Sequence, residues 1–246
     1  MNINVGCIIL TNTINLEKYG MTWRTIQSLI SSESNIFFDI KVIESNKDAL
    51  RKKFIYDTNT EKYKIQTITP NEEFGYNKFL NYGLNEFNKY ILPKWIIVSN
   101  NDLIFTQNWL TKLLDFQKNN SDVLSLSPWE PNWHTNIGKL NPLNGPYYGY
   151  RPSIEITGWC LLIHNSVIRK CKLFDPNFIF WYQDDDYGMT LKYSNVKHAL
   201  IPESKVYHIE NSSHDTVKKN KLNNMTYEQI KVFKDKWKEQ LNKELI

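Results

Sequence analysis

Three groups of polar residues in this sequence have types and positions that could do chemistry. The first is Asn100-Asn101-Asp102, which directly follows the short apolar segment at residues 95–98. In open α/β sheets, ligands bind at the carboxyl ends of the strands. An acid there needs a cationic partner, and a divalent cation bound to a diphosphate would supply one. The alternative is that Asn101 and Asp102 only form a turn or cap the next helix.

The second group is the acidic run Asp184-Asp185-Asp186, which follows an aromatic stretch. Neighbouring carboxylates raise one another's pKa values unless a cation or a hydrogen-bond donor is near. A carboxylate with a raised pKa in a partly dry cleft suits a general base that takes a proton from a hydroxyl. The alternative is an acidic N-terminus for a helix over residues 187–193. The two interpretations are compatible if Asp186 caps the helix while Asp184 points into the cleft.

The third candidate is His208, which follows a strand-like segment at residues 204–207. A neutral imidazole at a strand end is a good ligand for a divalent metal, and with Asp102 it could hold one ion between two strands. A lone histidine is more often structural. His214 is near enough in sequence to be a rival ligand.

The elements that must position these residues alternate between strand and helix signals, which predicts an α/β fold with a mostly parallel central sheet flanked by helices. Asn15 is a suitable N-cap for the first helix. Residues 125–152 are rich in Pro, Asn, Gly and aromatic residues and lack periodicity, so we expect a long functional loop. Strands are predicted at residues 4–11, 37–43, 64–68, 95–98 and 154–163, and further helices at residues 49–55, 77–90, 109–116, 166–170 and 226–241.

The composition excludes several classes of protein. With 246 residues, 41% hydrophobic and 23% charged, the chain is typical of a folded globular protein and not of a disordered one. Its apolar stretches are too short to span a membrane. The first ten residues lack a basic region and a cleavage site, and three scattered cysteines fit a reducing compartment, so we expect a cytoplasmic protein. A net charge of +4 does not favour nucleic-acid binding.

In their order and spacing, these motifs resemble the GT-A fold nucleotide-sugar glycosyltransferases, and glycosyltransferase family 2 in particular. The resemblance covers residues 4–213. Asn100-Asn101-Asp102 resembles the DxD motif of the family, and Asp184 lies in a segment similar to its EDxD motif. Val206-Tyr207-His208 resembles the strand whose histidine completes the metal site. Gly158-Trp159 is similar to the acceptor segment, and Phe74-Gly75-Tyr76-Asn77 to a Gly-aromatic motif.

The resemblance implies a Rossmann-like GT-A catalytic domain over residues 1–246. It would have a nucleotide-sugar half at residues 1–102, an acceptor and catalytic half at residues 103–225, and a C-terminal helix at residues 226–246. Asp102 and His208 would bind Mn²⁺ or Mg²⁺. Asp184 would be the catalytic base of an inverting, metal-dependent transfer to a hydroxyl acceptor in glycan or polysaccharide synthesis.

The resemblance also implies the substrates. UDP is the default nucleotide of the donor sugar, with GDP or dTDP as alternatives. A glycan or a lipid-linked molecule would be the acceptor, the latter with peripheral membrane contact. The residues expected to contact the donor are Thr11, Glu44, Asn100 and Asn101, and those expected to contact the acceptor are Trp159, Asp185 and Trp129.

Two other functions remain open from the sequence. Asn100 and Gln183 stand where the family motifs have acidic residues, which is compatible with a non-catalytic carbohydrate-binding protein on the same fold. The mild positive charge and the aromatic loop are compatible with an enzyme that glycosylates a base in DNA, which would bind DNA in a salt-sensitive way. A nucleotidyltransferase is not favoured, because the sequence has no Gly-rich phosphate loop.

Overall fold

The computed structural model describes residues 3–209 and 219–244. Over these residues the chain forms an α/β structure with one large sheet. The strands are β1 Ile3–Thr11, β2 Ile36–Glu44, β3 Thr58–Asn59, β4 Tyr63–Ile68, β5 Trp95–Ser99, β6 Leu103–Phe105, β7 Val123–Trp129, β8 Tyr147–Tyr148, β9 Cys160–His164 and β10 Lys197–His208. The helices are α1 Leu16–Ser31, α2 Tyr76–Asn88, α3 Trp109–Asn119, α4 Asn165–Lys170, α5 Gln183–Tyr193, α6 Lys219–Lys236 and α7 Lys238–Glu244.

The strands of the described residues are ordered β3-β4-β2-β1-β5-β9-β7-β10-β6, with β8 paired to β10. Strands β4, β2, β1 and β5 pair in parallel, and β7 pairs in parallel with β10. Strand β9 is antiparallel to both β5 and β7 and joins these two parts. Six strands therefore run in the same direction and end at the same edge of the sheet, as the strand and helix pattern predicts.

The core lies on both faces of the sheet, because the central strands are apolar on both sides. All five residues of β5 are buried. Alternate residues of β1 point to opposite faces, so that Val5 packs on the side of α1 and α3 while Ile8 packs on the side of α2 and α5. Helix α2 crosses β1 closely. A Cβ atom at Gly83 would lie 2.8 Å from Ile8 Cγ2, so only glycine permits this approach.

The first half of the chain folds largely as its pattern predicts. Asn15 caps α1, and its side chain accepts a hydrogen bond from the Lys18 amide at 2.9 Å. The helix predicted at residues 49–55 is wrong. Residues 47–53 form successive turns, and Lys53 has a φ of 58°, a left-handed conformation that ends any helical path.

The second half differs more from the prediction. The segment expected as a loop at residues 125–152 contains most of β7, a π-helical turn at Trp133–Ile137, and β8. The strand expected at residues 154–163 forms only from Cys160 onward. Its first residues fold back instead, because the amides of Ile154 and Ile156 both donate to Arg151 O. The C-terminal helix begins before residue 226 and is divided into α6 and α7.

No helix among residues 3–209 and 219–244 is both long and apolar enough to cross a bilayer.

Candidate active site

The candidate site lies at the edge of the sheet where the parallel strands end. Strands β5 and β10 bring Asp102 and His208 to this edge. Strand β9 runs in the opposite direction, and its first residue, Cys160, pairs with Ser99 at the end of β5. The preceding residues Gly158 and Trp159 therefore reach the same edge. Segments far apart in sequence meet here because the sheet has one antiparallel strand at its centre.

Asp102 and His208 face each other across the pairing of β6 with β10. His208 pairs with Leu103, and the amide of Ile209 donates to Asp102 O at 2.8 Å. These backbone contacts place His208 Nε2 3.1 Å from Asp102 Oδ1. The Asp102 residue is 4% exposed, and its carboxylate is directed at the imidazole. The structure thus brings together the two residues that the sequence analysis expected to share a metal ion.

The donor atoms of this pair fit a divalent cation that is also held by substrate. Adjacent ligands of an octahedral ion at metal–oxygen distances of 2.0–2.1 Å are separated by about 3 Å, close to the separation of the two donor atoms. No group of three His, Cys, Asp or Glu side chains with metal-site geometry occurs in the described part of the chain. Two protein ligands suit Mg²⁺ and similar ions, which keep positions for phosphate oxygens. The rival ligand His214 lies outside the described residues.

Asp184 lies in the first turn of α5, which begins after Tyr182 in a left-handed conformation with φ 62°. Burial and the neighbouring charge of Asp185 raise the pKa of Asp184 to about 7. The carboxylate packs against the backbone of Gly158, where an added Cβ atom would lie 2.1 Å from Asp184 Oδ1. Gly158 is therefore required for the carboxylate to sit at this edge. Such a group can exchange a proton near neutral pH.

Tyr76, at the start of α2, lies near both the candidate base and the candidate metal pair. Its hydroxyl donates to Asn100 Oδ1 at 3.3 Å and lies 3.4 Å from Gly158 O. Burial and the charges of Asp184 and Asp102 raise the pKa of Tyr76 far above its usual value, so it stays a neutral donor. The sequence analysis assigned Tyr76 no role in the site. Its only signal was its place in the Gly-aromatic motif.

Trp159 forms the aromatic wall of the site. Its ring stacks on the His208 imidazole with ring centroids 5.4 Å apart, and Trp133 meets it edge-on at 5.7 Å. Trp159 is half-buried, and its Nε1 has no hydrogen-bond partner in the described part of the chain. An aromatic face beside a buried donor is an arrangement that can hold an apolar ring face and a hydroxyl together.

The residues expected to contact the donor nucleotide are mostly occupied by hydrogen bonds within the protein. Asn100 lies at the open edge beside Tyr76, but Asn101 Nδ2 donates to the hydroxyls of Thr11 and Thr22 at 3.1 and 3.0 Å. This network ties α1 to the ends of β1 and β5. The structure thus gives Thr11 and Asn101 a role in holding the loops, in place of the expected direct contact with the nucleotide.

Glu44 has a similar structural role. It is 0% exposed, and its carboxylate accepts hydrogen bonds from the amides of Thr13 at 3.0 Å and Asn46 at 2.7 Å. Burial raises the pKa of Glu44. Because its oxygens serve the loops after β1 and β2, the expected contact of Glu44 with the base or ribose does not fit this geometry.

The structure places the three predicted acceptor residues in different surroundings. Trp159 lies at the site, and Asp185 is half-buried next to Asp184, with its pKa raised by burial. Trp129 is 1% exposed and is packed between His134 and Tyr147, with ring centroids 4.7 and 6.3 Å away. The prediction that Trp129 contacts an acceptor is wrong, because this ring belongs to the core.

The C-terminal helices hold the acidic motif in place through Asp186. Trp237 Nε1 donates to Asp186 Oδ1 at 2.8 Å, and Lys236 Nζ lies 2.7 Å from the same oxygen. Lys236 also contacts Asp175 Oδ2 at 2.8 Å. Asp186 is 2% exposed, so these donors offset the cost of burying its charge. These contacts hold helix α5, which carries Asp184, against the C-terminal helices.

This contact predicts a stability effect that separates two lysines on one helix. Lys236→Met leaves the buried Asp186 charge without its cation, so we expect a loss of about 3 kcal/mol in the free energy of unfolding. Lys234→Met removes the same charge from an exposed position and should change stability by less than about 0.5 kcal/mol. Urea denaturation of both variants measures the difference. Equal stabilities would show that Lys236 does not support the acidic motif.

Three solved structures are similar to this chain in fold. One is GalNAc-T7 with UDP, GalNAc and Mn²⁺, at 14% sequence identity and a TM-score of 0.66 over 88% of this chain. Another is the mannosyltransferase PcManGT from Pyrobaculum calidifontis with GDP-Man and Mn²⁺, at 10% identity and a TM-score of 0.61 over 87% of the chain. The third is S. aureus TarS 1–349, at 13% identity and a TM-score of 0.60 over 84% of the chain.

The chain has the GT-A fold. This GT-A chain spans 45 to 60% of the lengths of the three similar structures. No family model and no curated protein matches its sequence. The expected GT-A fold class is confirmed by the three-dimensional similarity.

Proposed function

We propose that this protein is a metal-dependent, inverting glycosyltransferase that moves a sugar from a nucleotide-diphosphate donor to a hydroxyl acceptor. One observation carries the proposal: the contacting pair Asp102 and His208, whose donor atoms would suit a divalent cation, and Asp184, whose pKa is raised to about 7, lie at the same edge of a GT-A sheet. The Tyr76 hydroxyl contacts Asn100 and Gly158, and the charges of Asp184 and Asp102 both act on it.

The donor diphosphate would bind at the metal pair. Asp102 and His208 would hold Mn²⁺ or Mg²⁺, and the bound cation stabilises the negative charge that develops on the leaving nucleotide diphosphate. Two similar structures contain Mn²⁺, one with UDP and one with GDP-Man, which supports a UDP-sugar or GDP-sugar as donor. UDP remains the default. Asn100, beside the pair, would contact the donor.

Asp184 would take the proton of the acceptor hydroxyl. The oxygen then attacks the anomeric carbon from the face opposite the nucleotide, the bond to the diphosphate breaks, and the configuration inverts. The acceptor sugar would stack on Trp159, with Asp185 accepting a hydrogen bond from another hydroxyl. The acceptor would be a glycan or a lipid-linked molecule.

The proposal is tested by donor binding and by the stereochemistry of transfer. Thermal shift with UDP-, GDP- and dTDP-sugars should show stabilisation by one nucleotide in the presence of Mn²⁺, and none with EDTA, because binding to the folded state raises the melting temperature. With that donor and an acceptor, ¹H NMR should show a β-linked product from an α-linked donor. An α-linked product would contradict the role of Asp184.

A second expectation concerns pH. A base must be ionised to act, and Asp184 has a pKa of about 7, so kcat/KM for the acceptor should rise about tenfold per pH unit below 7 and level off above it. Initial rates at saturating Mn²⁺ between about pH 5.5 and 8.5 measure this. Rates that are independent of pH across this range would exclude Asp184 as the base.

A further inference from the structure

A small cavity lies on the inner side of Asp184, between α2, α5 and the end of β5. Its volume is about 10 Å³. The residues on its wall with polar side chains are Tyr76, Asn77, Gln183, Asp184 and Tyr187, and the rest of the wall is Gly158 and apolar core. Asp184 therefore faces the reaction edge on one side and an internal polar space on the other.

Two of these wall residues have a buried side-chain oxygen that lacks a partner within the described residues, Asn77 Oδ1 and Gln183 Oε1. Asn77 is 1% exposed, and its orientation is fixed because its Nδ2 donates to Asp175 O at 3.0 Å, outside the cavity. The amide oxygen is thus the polar atom that Asn77 leaves for the cavity. Buried oxygen atoms without a donor are costly, and each calls for an explanation such as a water molecule.

The cavity meets the requirements of one water molecule. A buried water needs roughly 10 to 15 Å³ and two to four polar partners. Amide oxygens only accept hydrogen bonds, so the occupant must have two donors. A cation is not supported, because Asp184 is the only charged side chain that the described residues contribute to the wall.

We propose that this cavity binds one ordered water molecule that always donates to Asn77 Oδ1 and changes its second partner with the state of Asp184. When Asp184 is protonated, its hydroxyl donates to the water, and the water donates to Gln183 Oε1. When Asp184 is ionised, the water turns that donor to the carboxylate. Asn77 is then a positioning residue for the base.

This water gives Asp184 a partner in both protonation states. When the carboxyl group carries its proton on the oxygen that faces the cavity, the water accepts a hydrogen bond from that hydroxyl. Loss of the water would remove a hydrogen bond to the charged form and make ionisation of Asp184 harder.

The experiment compares two leucine variants on α2. Asn77→Leu fills the cavity and removes the fixed acceptor. Asn81→Leu is the matched control, because Asn81 Nδ2 makes the corresponding bond to Phe174 O at 2.8 Å but Asn81 does not line the cavity. The titration midpoint of Asp184 is followed by ¹³C carboxyl NMR and assigned by the signal missing from Asp184→Asn. We expect a midpoint about one pH unit higher in Asn77→Leu and unchanged in Asn81→Leu.

A crystal structure of the unaltered protein tests the water without any variant. Density for one water within hydrogen-bond distance of Asn77 Oδ1 and Asp184 supports the proposal. A dry cavity, or equal midpoints in the two leucine variants, overturns it. Neither readout requires glycosyl transfer, so a failed activity assay would contradict the proposed function while leaving this water site standing.

Discussion

Asp184→Asn should reduce glycosyl transfer by about 10³-fold in kcat, because an amide cannot accept the proton of the acceptor hydroxyl. Donor binding should be unchanged, since the metal pair Asp102 and His208 stays intact. The variant should also melt at an equal or higher temperature at pH 8. The pKa of Asp184 is raised to about 7 by burial, so the folded protein binds a proton more tightly than the unfolded chain, and stability falls as pH rises from about 4 to 7. The neutral amide removes this dependence.

Asp185→Asn is the matched comparison, because it removes a carboxylate from the adjacent position in the same helical turn. We expect it to raise KM for the acceptor more than it lowers kcat, in accordance with a role in binding. Steady-state rates and melting temperatures of both variants give the result. An Asp184→Asn variant that is folded and retains most of its transfer activity would show that another group is the base.

Removal of the metal should have an effect of similar size. Excess EDTA should abolish transfer, and added Mn²⁺ should restore it, because the charge on the leaving diphosphate is otherwise uncompensated. Asp102→Ala should lower kcat/KM by at least about 100-fold at any metal concentration. His208→Asn should raise the Mn²⁺ concentration that gives half-maximal activity, since one of two protein ligands is weakened.

His164 provides the control for the histidine variant. It lies at the opposite end of β9, paired with Trp95, and its side chain accepts a hydrogen bond from the Ser166 amide. His164→Asn should leave the dependence on Mn²⁺ unchanged. Full activity in EDTA, or the same metal dependence in His208→Asn and His164→Asn, would contradict a metal site at Asp102 and His208.

Strand ends and clusters of charge are the features that could be recognised from the sequence alone. Asp102 follows β5 and His208 is the last residue of β10, and parallel strands that end together bring such residues to one edge. The carboxylates of α5 were likewise recognisable from their crowding. These signals are local, since strand ends and charge clusters can be read within a few residues.

The direction of individual side chains was not predictable in the same way. Thr11, Glu44 and Asn101 lie at or just after strand ends, as the candidate site residues do, yet their polar atoms are used by neighbouring loops and α1. Trp129 lies in an aromatic-rich segment but is buried by His134 and Tyr147. Whether a polar or aromatic side chain is free depends on which distant segment packs on it, and a pattern along the chain does not contain that information.

By itself, then, the sequence determined the α/β class and the resemblance to GT-A enzymes, and it singled out Asp102, Asp184 and His208 as candidate site residues. Only the tertiary structure decided how these residues are arranged. The antiparallel insertion of β9 brings Gly158 against Asp184, α2 places Tyr76 and Asn77 beside it, and α6 with Trp237 holds Asp186 from behind. The physical reason is that strand order and close packing arise from contacts between residues far apart in the chain, whereas periodicity reports only on neighbours.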